Sequence, residues 1–160
     1  MEAFDYAIQM EMDGEAYYRN LAAKHSDRGI VEILTLLADD EARHRKVLEM
    51  MKRYTAPHVR KTTIVSDVKN IFSQMKDNDE DISIDVSHVE LYKKAQDLER
   101  KSQKFYLDKA AEVDDTFKKE IFGLLADEED QHHFILQIMI DAISRPDPAT
   151  WLRNSKGFRS

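Results

Sequence analysis

Glu41 and His44 lie three residues apart, and the same pair recurs as Glu129 and His132. A further glutamate stands thirty residues upstream of each pair, Glu11 and Glu99. On a helix, a spacing of three puts carboxylate and imidazole on one face. Together they offer hard oxygen and borderline nitrogen without any thiolate, a donor set suited to Fe or Mn. Ca and Mg seldom take histidine, and six ligands with open positions are unlike a closed structural zinc site. Four carboxylates buried together would take up protons rather than stay charged, because burial and like charges both disfavour the ionised form. Two divalent cations would neutralise them. A single Glu-x-x-His is common on helices and says little. Its repetition in register, with the upstream glutamate both times, carries the reading.

That repetition extends beyond the candidate ligands. A shift of 88 residues carries Leu36–His44 onto Leu124–His132, Glu11 onto Glu99 and Tyr18 onto Tyr106. The same shift, without a gap, carries Ala22-Ala23 onto Ala110-Ala111, Asp27 onto Asp115 and Met51 onto Met139. The chain is therefore a duplicated helical hairpin. The first helix is expected from Glu2 to His25, with apolar residues Phe4, Ala7, Ile8, Tyr18, Leu21 and Ala22 at three- and four-residue steps. Ser26-Asp27 caps the next helix, expected over Asp27–Arg53, and Asp114-Asp115 repeats that cap. The second unit gives helices over His88–Glu112 and Asp115–Ile143.

The spacing also sets the register. Glu11 lies fifteen residues before Ser26 and Glu41 fifteen after it, so both sit ~22 Å from the turn at ~1.5 Å per residue. Glu99, Asp114 and Glu129 repeat the arithmetic. Two such hairpins, related by a pseudo-twofold axis, converge four carboxylates and two imidazoles at mid-bundle. Residues 54–87 connect the units, a length that can run along a bundle as a crossover. Within it Pro57 is expected to stop the second helix. Ser66 is expected to cap a short helix over Asp67–Met75, and Lys76–Asp81 reads as a charged loop. The expectation is an all-α four-helix bundle over residues 1–145, with a tail at 146–160.

Other polar residues have alternative readings. Tyr18 and Tyr106 lie two turns beyond Glu11 and Glu99, as candidate catalytic residues that donate hydrogen bonds to the ligands, or as core tyrosines. Asp40 and Glu128 precede Glu41 and Glu129, placed either to orient a histidine ring across the bundle or to form a solvated acidic face. Gly14 and Ser102, each one turn past Glu11 or Glu99, leave room for a small molecule or for close helix packing. His25, His58, His88 and His133 lack repeat partners and read as structural or surface groups. Trp151, Leu152 and Phe158 in the tail suit an apolar anchor or a dimer contact.

Composition narrows the field further. The chain has no Cys, which excludes disulfides, Cys-ligated metals and a thiol nucleophile. A net charge of −7 argues against nucleic acid or an anionic membrane as partner. No apolar run approaches the ~18 residues of a membrane span. The first residues lack a basic and apolar leader, so a cytoplasmic protein is expected.

Glu11-x-x-Gly14-x-x-x-Tyr18, Glu41-x-x-His44, Glu99 with Tyr106, and Glu129-x-x-His132 together resemble the ferritin-like diiron-carboxylate superfamily, within it the rubrerythrin-related proteins. The resemblance spans about residues 2–143. It implies a ferritin-like four-helix bundle with two iron ions (or Mn). Glu11 and Glu99 would then be terminal ligands, Glu41 and Glu129 bridging ligands, and His44 and His132 one ligand to each ion. It implies a non-haem diiron oxidoreductase that reduces hydrogen peroxide, or dioxygen, with electrons from an external donor such as a rubredoxin-like protein. A homodimer is expected. The alternatives are a ferroxidase or iron-storage protein, and a binding module whose metals only hold the bundle together. Two departures stand out. The four-Cys rubredoxin domain is lacking, and Ser102 occupies the position where rubrerythrins carry an extra Glu.

Overall fold

The computed structural model describes residues 2–53, 59–78 and 85–144, with side chains to 142. Five α-helices lie among them: α1 (Glu2–Ala22), α2 (Arg28–Lys52), α3 (Ile64–Asp77), α4 (Val89–Glu112) and α5 (Thr116–Ser144). A single 3-10 turn, Val86–His88, leads into α4. The expected tail residues, Pro57, His58 and the loop residues 79–81 lie outside the described residues. None of the described helices is long and apolar enough to cross a membrane.

The caps determine where the hairpins turn. Asp27 accepts hydrogen bonds from the Gly29 and Ile30 amides at 2.9 and 3.2 Å, satisfying two of the free donors that open α2. Its repeat mate Asp115 accepts from the Lys118 amide at 3.1 Å and opens α5 in the same way. The α1 helix ends at Ala22, short of the expected His25, because the chain tightens. Lys24 and His25 donate to the carbonyls of Leu21 and Ala22 at 3.1 Å. The His25 ring closes that end, with Nδ1 2.8 Å from the Leu21 carbonyl and Nε2 3.0 Å from the Tyr92 hydroxyl. Its role is structural.

Each hairpin packs antiparallel, α1 on α2 and α4 on α5, and the two hairpins face each other as a four-helix bundle. The crossover helix α3 lies against α2 and α5. It begins at Ile64, three residues before the expected start, and Ser66 lies inside it rather than capping it. The apolar side is the cause. Ile64, Val65, Val68, Ile71, Phe72 and Met75 are all buried, so the first turn already contributes to the core. The N-cap residue Thr63 makes no side-chain cap bond, and the preceding Thr62 hydroxyl accepts instead from the Ile64 amide at 3.2 Å.

The core is divided in two. One apolar cluster joins Leu21, Ile30, Leu34, Leu37, Phe72, Tyr92, Leu136 and their neighbours at the α3 end. The other joins Ala7, Leu48, Met51, Tyr106, Phe122 and Leu125 at the opposite end. Along all four bundle helices a short polar stretch separates the two.

Candidate metal centre

The polar layer holds Glu11 from α1, Glu41 and His44 from α2, Glu99 from α4, and Glu129 and His132 from α5. All six are buried. Their side chains form two groups in which one donor atom from each residue lies within 4.8 Å of the others. The first is Glu11, Glu41, His44 and Glu129; the second is Glu41, Glu99, Glu129 and His132. Glu41 and Glu129 belong to both, and the remaining four belong to one each. The two imidazoles stack 5.8 Å apart and nearly parallel, at 7°.

The ring nitrogens divide their work. His44 Nδ1 lies 3.0 Å from Glu11 and 2.9 Å from Glu129. His132 Nδ1 lies 3.3 Å from Glu41 and 3.4 Å from Glu99. Both Nε2 atoms point away from the carboxylate cluster. His44 Nε2 meets Glu128 at 2.8 Å and His132 Nε2 meets Asp40 at 2.9 Å. A carboxylate on Nε2 draws the proton there and leaves the Nδ1 lone pair directed inward. Asp40 and Glu128 therefore orient histidines across the bundle, each bonding a ring from the other hairpin.

Thr62 and Arg43 close this outer side. The Thr62 hydroxyl donates to Asp40 at 2.6 Å and its amide to Glu128 at 3.0 Å. Arg43 pairs with Glu128 and, at 3.4 Å, with Asp40, and donates to the Arg60 carbonyl at 2.7 Å. The repeat reading missed both residues. Thr62 occurs in the unrepeated crossover, and the mate of Arg43 is Gln131. The only sequence signal was a cation one residue before His44.

Three carboxylate oxygens in the polar layer, Glu11 Oε1, Glu99 Oε2 and Glu129 Oε1, are buried without a hydrogen-bond partner. Glu129 Oε1 is close to His44 but lacks hydrogen-bond geometry. Buried polar atoms without donors need a counterpart, and cations between the two groups would supply it. The residues present therefore fit a dimetal site.

Protonation follows from the same crowding. Burial pushes Glu41 and Glu129 well above the usual carboxylate range, and neighbouring carboxylates add to it. Burial would lower His44, but the Glu11 carboxylate and Glu128 outweigh it and hold the ring up to about 9. His132 is likewise held well above its ordinary value by Glu99 and Asp40, against burial. Without metal the layer thus stores protons.

The two tyrosines differ. Tyr18 donates to Glu99 at 2.5 Å. The buried Tyr106 hydroxyl makes no hydrogen bond of ordinary geometry. Burial first, then the nearby Glu11 charge, pushes its ionisation well above the usual range. Gly14 sits over Glu41, where a Cβ would lie 3.3 Å from the carboxylate carbon. Gly14 and Ser102 line a cleft between α1 and α4 that reaches Glu41 and Glu99. His133 lies beside Arg100, and His88 against the His25 ring, both away from the layer.

Among curated proteins, none matches the sequence. A solved structure, that of a hypothetical protein from Pyrococcus furiosus, is similar, with a TM-score of 0.62 over 89% of each chain. At 20% identity this supports the fold alone. The family profile described as Rubrerythrin matches residues 2–140, nearly the whole four-helix bundle with its carboxylates and imidazoles. The chain belongs to the rubrerythrin family.

Proposed function

We propose that this protein is a non-haem diiron oxidoreductase that reduces hydrogen peroxide with electrons from an external donor. The observation that carries the reading is the sharing of Glu41 and Glu129 between two otherwise separate ligand groups. Shared carboxylates would hold two cations side by side, and four carboxylates match the charge of two divalent ions. Glu41 and Glu129 would be shared between two ions, Glu11 and Glu99 would each hold one, and His44 and His132 would each present Nδ1. The donor set favours iron, with manganese the other candidate. Two ferrous ions held there would supply one electron each to hydrogen peroxide, which with two protons gives two waters.

The chain's own groups arrange that chemistry. Asp40 and Glu128 fix the ring orientation and keep the proton on Nε2. Tyr18 holds one Glu99 oxygen through its hydroxyl and leaves the other free. The apolar clusters above and below exclude water, and the α1–α4 cleft admits the oxidant beside Gly14. Re-reduction is assigned to a separate donor such as a rubredoxin-like protein. A cytoplasmic homodimer suits this role.

The test is anaerobic. Protein loaded with two equivalents of Fe(II) is mixed with hydrogen peroxide or dioxygen at equal concentration, and ferric absorbance is followed by stopped flow. Faster oxidation by peroxide is expected, since one two-electron step suffices, whereas dioxygen needs four electrons for complete reduction. Saturation at fewer than two ions, or faster oxidation by dioxygen, overturns the reading.

A further inference from the structure

The cleft that reaches the polar layer is larger than hydrogen peroxide requires. Its volume is about 310 Å³, whereas a water molecule occupies ~30 Å³ in the liquid. Small-molecule sites begin at ~300 Å³. Its lining is mostly apolar, with Gln9, Asp13 and Lys101 among the exceptions. Met10, Tyr17, Ala95 and Leu98 supply apolar lining, while the lining carboxylates Glu41 and Glu99 are buried. Glu99 is 3% exposed and its Oε2 lacks a partner. Leu98, at the rim, is 38% exposed. A passage for peroxide alone has no use for an apolar chamber. An apolar lining with buried carboxylates fits a molecule with an apolar body and a small protic head.

We propose that the α1–α4 cleft binds organic hydroperoxides, with the alkyl or aryl body between the apolar walls and the –OOH group at Glu41 and Glu99. The proposal rests on the peroxidase reading and names the substrate class of the same site. In the net reaction the O–O bond breaks. The hydroperoxide takes up two electrons, one from each ferrous ion, and two protons, and leaves as alcohol and water. The external donor then returns the two electrons.

The probes are cumene hydroperoxide and its product, 2-phenyl-2-propanol. Metal-free full-length protein, labelled at its methionine methyl groups, is titrated with the alcohol and followed by NMR. A saturable shift of the Met10 methyl with Kd at or below ~1 mM is expected. Leu98→Trp at the rim should weaken it at least tenfold, and Met10→Trp, read by calorimetry, should do the same from the opposite wall. With the diferrous protein, cumene hydroperoxide should show a lower KM than hydrogen peroxide, with the alcohol inhibiting competitively. If hydrogen peroxide oxidises the protein but the alcohol does not bind and cumene hydroperoxide does not saturate, the cleft assignment falls and the peroxidase reading stands. Alcohol binding without oxidation by either peroxide overturns the peroxidase reading, and with it hydroperoxides as the occupants.

Discussion

Asp40→Asn tests the outer carboxylates at one ion with little change of shape. Asp40 accepts from His132 Nε2 at 2.9 Å and from the Thr62 hydroxyl at 2.6 Å, and it pairs with Arg43 at 3.4 Å. An asparagine oxygen can keep both hydrogen bonds, so the substitution removes mainly the charge. A hydrogen bond to a charged group contributes ~1.5–3 kcal/mol against ~1 for a neutral pair, which leaves a loss of ~0.5–2 kcal/mol at the His132 ring. At ~1.4 kcal/mol per decade, that is roughly 2- to 30-fold in metal affinity, overlapping the ~10- to 100-fold usual for such partners. The lower half is expected, because Thr62 still holds the side chain in place. The effect should fall on the ion that His132 faces, since His44 answers to Glu128 instead. Anaerobic titration of Fe(II) or Mn(II) against a competing chelator resolves the two stepwise constants, and a melt without metal reports any loss of fold. Both constants unchanged, or both weakened equally, would refute the claim that Asp40 orients one ligand of one ion.

Metal-free protein should lose stability as pH rises from 6.5 to beyond 9. The folded value of His44 is held up to about 9, above its ordinary 6.5, so its contribution is complete below 6.5 and lost through 9. Glu41 and Glu129, also raised, act in the same direction. A flat or rising Tm by circular dichroism over that range contradicts the stored protons. Glu41→Gln and Glu129→Gln should each weaken both stepwise metal constants, whereas Glu11→Gln should weaken one; the same chelator competition distinguishes them. Tyr18→Phe should cost the metal-free protein ~1–3 kcal/mol by removing a hydrogen bond to a buried carboxylate. Tyr106→Phe should cost less, because its hydroxyl makes no hydrogen bond of ordinary geometry, and equal losses in urea unfolding would reject that distinction.

Much of this was legible because duplication writes the same information twice. Glu11 and Glu99 would each be weak evidence alone, but the repeated interval to the Glu-x-x-His pairs fixed their height in the bundle. The structure brings all six residues into one layer. Asp27 and Asp115 were legible as caps for the same reason. What the sequence hid occurs only once. The start of α3 was misplaced because its opening turn is apolar and the side chain that bonds its first amide is Thr62, two residues before Ile64. Arg43 and Thr62 were invisible to an argument built on mates. Tyr18 and Tyr106 are mates and read alike, yet Tyr18 donates to Glu99 while Tyr106, beside Glu11, makes no hydrogen bond of ordinary geometry, a difference that residue types do not encode.

The unrepeated crossover also covers one face of the site. The pseudo-twofold carries α1 onto α4 and α2 onto α5, so it leaves two different faces, one between α1 and α4 and one between α2 and α5. The described part of the connector lies on one side. It packs α3 against α2 and α5 and places Thr62 over Asp40 and Glu128. That side is covered at the histidines, and the partly buried hydrogen bonds behind each imidazole gain strength from the lower local dielectric. The opposite side keeps the cleft between α1 and α4, floored by Gly14 and Ser102. Ligand orientation thus comes from the covered side and access from the open one. A residue on the covered side, such as Thr62, acts on metal affinity through Asp40 and Glu128. A residue on the open side, such as Leu98, acts on what reaches the ions.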